Sequence, residues 1–229
     1  MRVLVLCSGT GSIDRAFERK GWDVVSVDWL AKFRATLCVD IMQWDYRAAF
    51  PKDHFQFVWA SPACTHFSIA RTTGGPRDIE GATALVARCL EIAEYFDCAW
   101  CLENPATGLL KRQPLMEGLL WIDTCYCKYG FDYRKHTRLW HSRAFGQAFR
   151  PQPVCCAASP CPAVAADGVH PTRASYTQRE RGGSRARHGY SQAQLYSMPP
   201  LLCDDIAQAA EACNHSEEHI AHESIPQPS

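Results

Sequence analysis

The sequence predicts an α/β fold with a mostly parallel sheet and helices on both faces, and three observations carry that expectation. Short apolar runs end abruptly at Leu6, Asp28, Ala60 and Leu102. Helical patterns separate them, and strand–helix alternation of this kind implies crossovers that cover both faces of a sheet. The chemistry-bearing residues follow those runs, at the carboxyl ends of strands where open α/β sheets bind ligands.

Arg2 to Leu6 is a short apolar strand leading into Cys7-Ser8-Gly9-Thr10-Gly11-Ser12, and a helical pattern then sets Ile13, Ala16 and Phe17 on one face. Gly21 is placed to end that helix. Asp23 to Asp28 is a second strand closing on a carboxylate, about 20 residues past the Gly-rich turn, where an acid can accept hydrogen bonds from both hydroxyls of a ribose. Phe55 to Ala60 is the next strand. Asp78 to Phe96 reads as an amphipathic helix with Ala82, Leu85, Val86, Cys89, Leu90, Ile92 and Ala93 mostly inward, and Ala99 to Leu102 as a strand ending in Glu103-Asn104-Pro105. Leu119 to Tyr126 and Arg138 to Trp140 are expected as later strands of the same sheet.

From Gly146 to Gly189 periodicity gives way to Pro, Cys, Gly, Ser and Arg, the mark of a small loop-rich subdomain or a flexible insertion. Tyr190 to Cys213 recovers helical character, with Leu195, Met198, Leu201, Leu202, Ile206 and Ala209 available to pack back. The expected organisation is a ligand-binding catalytic domain over 1–145, an insertion over 146–189, a returning helix over 190–214 and a polar, fraying tail over 215–229.

A chain of 229 residues is expected to form one main domain that buries roughly 70 to 75% of its unfolded surface. Its 13 cysteines are odd in number, and the first residues lack the charged, apolar and small-residue pattern of a signal peptide. Reduced thiols in a cytoplasm-like compartment are the expectation. No apolar run approaches the ~20 residues that cross a bilayer, so membrane functions are not expected. The formal net charge is zero, but its distribution is uneven. Arg134, Lys135, Arg138, Arg143, Arg150, Arg173, Arg179, Arg181, Arg185 and Arg187 face only Asp167 and Glu180 in the same stretch, whereas acids such as Asp204, Asp205, Glu211, Glu217, Glu218 and Glu223 gather near the end. Such a basic stretch is either a solvated face or a set of phosphate contacts.

Cys64 stands in Ala60-Ser61-Pro62-Ala63-Cys64-Thr65, directly after a strand. On that loop it is a candidate nucleophile, although taken alone a free cysteine is more often a small buried hydrophobe. Two other segments favour the nucleophile. The run Leu6 to Ser12 with Asp28, the Pro62-Ala63-Cys64 loop, the Glu103-Asn104-Pro105 strand end and the basic segment Tyr129 to Arg138 occur in that order. Together they resemble the cytosine-5 DNA methyltransferases, over about Val3 to Trp140 and again weakly over Ser191 to Ala210.

The resemblance implies a Rossmann-like S-adenosylmethionine-dependent methyltransferase fold and methyl transfer to C5 of a flipped-out cytosine in double-stranded DNA. It implies that Cys64 adds to C6 and that Glu103 acts at N3, with cations of the Tyr-Gly segment assisting. It also implies that Ser8, Gly9, Thr10, Gly11 and Ser12 cradle the methionine part of S-adenosylmethionine, that Asp28 takes the ribose and Asp40 with Ile41 the adenine, and that Ser61 and Pro62 complete the cofactor side. The family's Gln-x-Arg-x-Arg is altered here: a strict count puts Lys135 and Thr137 at the arginine positions, with Arg134 and Arg138 one residue away. Arg138 and Arg134 are the expected catalytic cations.

Pro-Pro-Cys has become Pro62-Ala63-Cys64, the final Gly-Asn-Ser signature is missing, and only about 50 residues stand where a target-recognition domain is usual. The expectation is a compact member such as phages and other viruses encode, with restriction-modification among its roles, monomeric and located in the cytoplasm of a prokaryotic or phage-infected cell. A tRNA cytosine-5 methyltransferase shares the architecture, and a catalytically silent nucleic-acid-binding protein could keep the fold; substrate choice and the effect of Cys64→Ser separate them.

Within the insertion, Cys155, Cys156, Cys161 and His170 are spaced so that three of them can bind zinc, with Cys127 as the fourth ligand. The set expected is Cys127, Cys156, Cys161 and His170, against ordinary loop and core cysteines. His215, His219 and His222 fall at helical spacing in a polar tail and are expected to be solvated.

Overall fold

The computed structural model describes residues 1–69, 75–164, 170, 177–179, 186–188 and 190–222. Arg173, Arg181 and Arg185 of the insertion and the last residues of the tail, 223–229, lie outside the described residues.

Strands β1 (Arg2–Leu6), β2 (Asp23–Asp28), β3 (Leu37–Cys38), β4 (Phe57–Ala60), β5 (Ala99–Pro105), β6 (Trp121–Cys125) and β7 (His136–His141) form one sheet in the order β3-β2-β1-β4-β5-β7-β6. The fold is α/β with a mostly parallel sheet: β1, β2, β3, β4 and β5 pair in parallel, and β7 lies antiparallel between β5 and β6. The short link from β6 to β7 explains that reversal, because a parallel return would need a full crossover.

Both faces of the sheet are buried. Val3, Val5, Phe57, Trp59, Cys101 and Leu139 point to one side, where α1 (Ser12–Arg19), α4 (Arg143–Ala148) and α6 (Pro200–His222) cover them. Leu4, Leu6, Val58, Ala60, Leu102 and Trp140 point to the other, against α2 (Tyr46–Ala49) and α3 (Ile79–Phe96). The period of two along each strand therefore yields near-continuous apolar runs.

Gly21, at φ 75°, ends α1 as its position suggests, and its amide donates to the Glu18 carbonyl. Asp78 caps α3 by accepting from the Gly81 amide at 2.8 Å. The sheet strands β3 and helix α2 carry too little pattern to be read from sequence. The returning helix differs from expectation. It is split into α5 (Gln192–Tyr196), held by a Ser191–Gln194 capping box, and α6, because Pro199 and Pro200 cannot donate backbone bonds and force the preceding residues out of helix. Leu201 in consequence is 61% exposed rather than packed inward, and α6 continues through the expected tail to His222. In the insertion, β8 (Thr177–Arg179) and β9 (Ala186–His188) form a separate antiparallel pair.

Candidate active site

The carboxyl ends of β1, β2, β4 and β5 open onto a cavity of about 600 Å³. Its wall on one side is built from Cys7, Ser8, Gly9, Asp28, Trp29, Asp40 and Ile41, and on the other from Cys64, Glu103, Tyr126 and Lys135, with Ser61 and Pro62 between.

The turn after β1 is wound through left-handed backbone at Cys7 (φ 55°), Gly9 (φ 54°) and Gly11 (φ 69°). A side chain at Gly9 or Gly11 would be strained there. Asp28 locks the turn to β2: its Oδ2 accepts from the Gly9 amide at 3.0 Å and its Oδ1 from the Leu30 amide at 2.9 Å. Each oxygen keeps a lone pair for a ligand hydroxyl. Beside it Trp29 is 70% exposed, an indole face open to a planar base. Trp29 was not legible in the sequence as a site residue, and its exposure is the signal that marks it. Thr10, Gly11 and Ser12 do not line the cavity. Ser12 instead accepts from the Met198 amide at 3.2 Å and pairs with Thr10 at 3.1 Å, which fastens the turn to the C-terminal segment that brings Tyr196 and Met198 to the cavity.

Cys64 is half-buried on a tight turn, its carbonyl accepting from the Phe67 and Ser68 amides. Burial pushes its thiol above the ordinary value, and the Lys135 ammonium holds it partly back. Ser61 Oγ donates to the Cys7 carbonyl at 3.1 Å, joining the nucleophile loop to the Gly-rich turn. His66, also on the cavity wall, accepts the Asp78 amide at Nδ1.

Glu103 is 6% exposed. Its Oε1 accepts from Thr137 Oγ1 and from Tyr126 Oη at 3.3 Å, and Lys135 Nζ stands 3.8 Å away. All three converge on Oε1, so Oε2 has no protein partner among the described residues and remains available to a ligand. Burial raises the Tyr126 hydroxyl well above its ordinary value, which keeps it a donor toward Glu103.

Register decides which cation belongs to the site. Pro105 pairs with Thr137 and Asn104 with Arg138, so Lys135 and Thr137 share the face of Glu103, while Arg138 shares that of Asn104 and Trp140. Arg138 is bound bidentately to Asp123 at 2.7 and 2.9 Å and stacks on Trp121 at 3.5 Å. Arg134 is exposed and interacts with Cys125. Arg138 and Arg134, the expected catalytic cations, are therefore engaged elsewhere, and Lys135, at the position the strict count gives, stands beside Glu103.

A second group of side chains lies outside the cavity. Cys127, Cys155, Cys161 and His170 bring their ligand atoms within 4.8 Å of one another. Cys156 is not among them. Residue 155 is buried at the foot of the insertion, whereas Cys156 opens the turn closed by its bridge to Ser159 and is exposed.

No family model matches the chain. Over 220 residues it is 33% identical to a Frog virus 3 (isolate Goorha) protein named probable DNA (cytosine-5)-methyltransferase, covering 90% of this chain and 98% of that one. The chain belongs to the DNA (cytosine-5)-methyltransferase family. Solved structures similar to this family member include the S. pombe Dnmt2 methyltransferase, at 16% identity and TM-score 0.44 over 62% of this chain and 50% of that one. The Entamoeba histolytica methyltransferase EhMeth matches at 12% identity and TM-score 0.46 over 68% and 57%. The methyltransferase described here spans about half the length of those solved chains. S-adenosylmethionine is the cofactor that the family implies, and the remaining lone pairs of Asp28, a Cβ-free Gly9 and the Trp29 face make a cavity side that fits it. No helix among the described residues is long and apolar enough to cross a membrane.

Proposed function

We propose that this methyltransferase moves a methyl group from S-adenosylmethionine to C5 of a cytosine flipped out of double-stranded DNA. The observation that carries the proposal is the placement of Cys64, Glu103 and the Ser8–Gly9–Asp28 wall around one cavity. S-adenosylmethionine supplies an electrophilic methyl on a sulfonium. The chain's own residues make C5 reactive toward it. Cys64, as thiolate, forms a bond to C6, and the electron pair displaced through the ring is stabilised by a proton held between Glu103 and N3. Lys135, beside Glu103, favours the thiolate form of Cys64. C5 takes the methyl as its bond to the sulfonium breaks and S-adenosylhomocysteine is left, a base removes the C5 proton, and the electrons of that C–H bond restore the ring double bond as the C6–S bond breaks and Cys64 is released. Water serves as that base in the simplest case.

The same reading places Asp28 at the ribose and Asp40 and Ile41 at the adenine, with Ser8, Gly9, Ser61 and Pro62 around the methionine part. It takes the enzyme to act as a monomer in the cytoplasm, with zinc as a structural ion separate from the chemistry.

The test is transfer of labelled methyl from S-adenosylmethionine to unmethylated duplex DNA by the native protein and by Cys64→Ser, followed by nucleoside analysis. The expected product is 5-methylcytosine with the native protein and none with the variant. Cofactor binding with modification of a stem-loop RNA alone, or of nothing, would overturn the assignment to DNA.

A further inference from the structure

The four residues Cys127, Cys155, Cys161 and His170 do not touch the catalytic cavity, yet they are the most concentrated set of metal-ligating groups among the described residues. The three thiols are almost wholly buried, at 1%, 2% and 4% exposure. His170 Nε2 lies 3.2 Å from Cys161 Sγ and 3.8 Å from Cys155 Sγ. Zn–S bonds of about 2.3 Å and Zn–N bonds of about 2.0 Å in a tetrahedron put ligand atoms roughly 3.5 to 3.8 Å apart, so this arrangement is near the size of a closed Cys3His site.

The surroundings show why such a site is needed. Residues 151–164 have no helix or strand of their own beyond the Cys156–Ser159 bridge. The buried group they form with the domain is made of Cys125, Cys127, Cys155 and Cys161, and among the described residues the apolar side chains packed on it are Val154, Ala163 and Val164. That is too little apolar surface to hold an irregular segment. Among the described residues the hydrogen-bond ties are few. They run from Thr124 Oγ1 to the Gln152 carbonyl, from the Gln152 amide to Tyr129 Oη, and from Lys128 Nζ to Ser159 and Pro160.

The ligands come from both sides of the seam. Cys127 belongs to the 3-10 turn Tyr126–Tyr129 of the catalytic domain, and the other three belong to the insertion. Cys127 also follows Tyr126, which donates to Glu103. The insertion continues past His170 into the segment that carries Arg173, Arg179, Arg181, Arg185 and Arg187.

We infer that Cys127, Cys155, Cys161 and His170 bind one zinc ion that fastens the Arg-rich insertion to the catalytic domain, and that the enzyme's grip on nucleic acid depends on this ion while its grip on S-adenosylmethionine does not. The ion takes the place of a large recognition domain in anchoring, at His170, the start of the Arg-rich segment to the catalytic domain. Binding releases the thiol protons to solvent and involves no redox change.

Two measurements on the full chain, purified under reducing conditions, test this. The first is metal content, with cobalt substitution to report the ligand field. About one zinc per chain is expected, with the visible absorption of tetrahedral thiolate coordination after cobalt loading. Cys161→Ser and Cys155→Ser are expected to lose the metal, and Cys156→Ser to keep it. The second is binding by the native chain before and after chelation. Removal of zinc is expected to weaken duplex DNA binding by about tenfold or more while S-adenosylmethionine affinity is unchanged, and added zinc is expected to restore it. Metal-free native protein, a disulfide among these thiols, or metal retained by Cys161→Ser would overturn the site. Stripped protein that binds duplex as tightly as loaded protein would overturn the fastening role. Because metal content is read without any methyl transfer, its outcome is independent of whether the proposed reaction holds.

Discussion

Asn104 Nδ2 donates to the Pro62 carbonyl over 2.9 Å, so the residue next to Glu103 holds the loop that carries Cys64. Both groups are buried, Asn104 fully so. The end of β5 thereby positions the proposed acid with one side chain and the proposed nucleophile with the next, which point to opposite faces of the strand.

Asn104→Ala is expected to destabilise the protein by about 1 to 3 kcal/mol, because the Pro62 carbonyl loses its buried donor. It is expected to lower kcat more than it weakens cofactor binding, since the loop that moves carries Cys64. Urea unfolding and single-turnover transfer would measure the two effects; a normal kcat in a folded variant would show that Asn104 does not position the loop.

Burial raises the Cys64 thiol, the Lys135 ammonium opposes this, and the Glu103 carboxylate adds to the rise. The reactive thiolate fraction therefore increases with pH, and kcat/KM should climb on the alkaline side. Lys135→Met removes the opposing cation, so the rise should move to higher pH and the rate near neutrality fall by roughly tenfold for each unit moved. Arg138→Met is expected to leave that pH profile in place and to cost about 1 to 3 kcal/mol of stability by stranding Asp123. Parallel pH–rate profiles decide between the two cations.

In Asp28→Asn one of the two backbone amides now bonded by the carboxylate, those of Gly9 and Leu30, would face an NH₂ group. S-adenosylmethionine affinity is expected to drop by roughly tenfold or more. Calorimetric titration of the folded variant gives the answer, and unchanged affinity would remove Asp28 from the ribose site.

Burial raises the Asp14 carboxyl from 3.8 to about 6, against the opposing pull of Ser26, and its Oδ1 has no hydrogen-bond partner among the described residues. The folded state therefore holds this proton more tightly than the unfolded chain. Stability from Asp14 is fully present below the unfolded value near 3.8 and is lost as pH rises through about 6. Asp14→Asn should thus stabilise the protein at pH 8 by on the order of 2 kcal/mol, with the gain shrinking toward zero near pH 4. Denaturant midpoints at the two pH values check the sign, and an equal effect at both would rule out titration as its source.

Local chemistry made much of this protein legible. The apolar runs before Cys7, Trp29 and Ser61 had to be buried strands, Gly21 could end α1 at a positive φ, and an acid at Asp28 followed the Gly-rich turn at a readable distance. These features depend on a few neighbouring residues, so sequence by itself determined the parallel strands β1, β2, β4 and β5 and marked Cys64 and Glu103 as the groups to watch. Tertiary structure decided what depends on parity and on long-range meeting. The β5–β7 register turned Lys135 and Thr137 toward Glu103 and Arg138 toward Asp123, and one residue of shift would have exchanged them. Paired prolines split the last helix, and its α5 end brought Tyr196 to the cavity. Cys155 rather than Cys156 met Cys127, because adjacent residues in an extended segment point apart and only the fold selects which one faces inward.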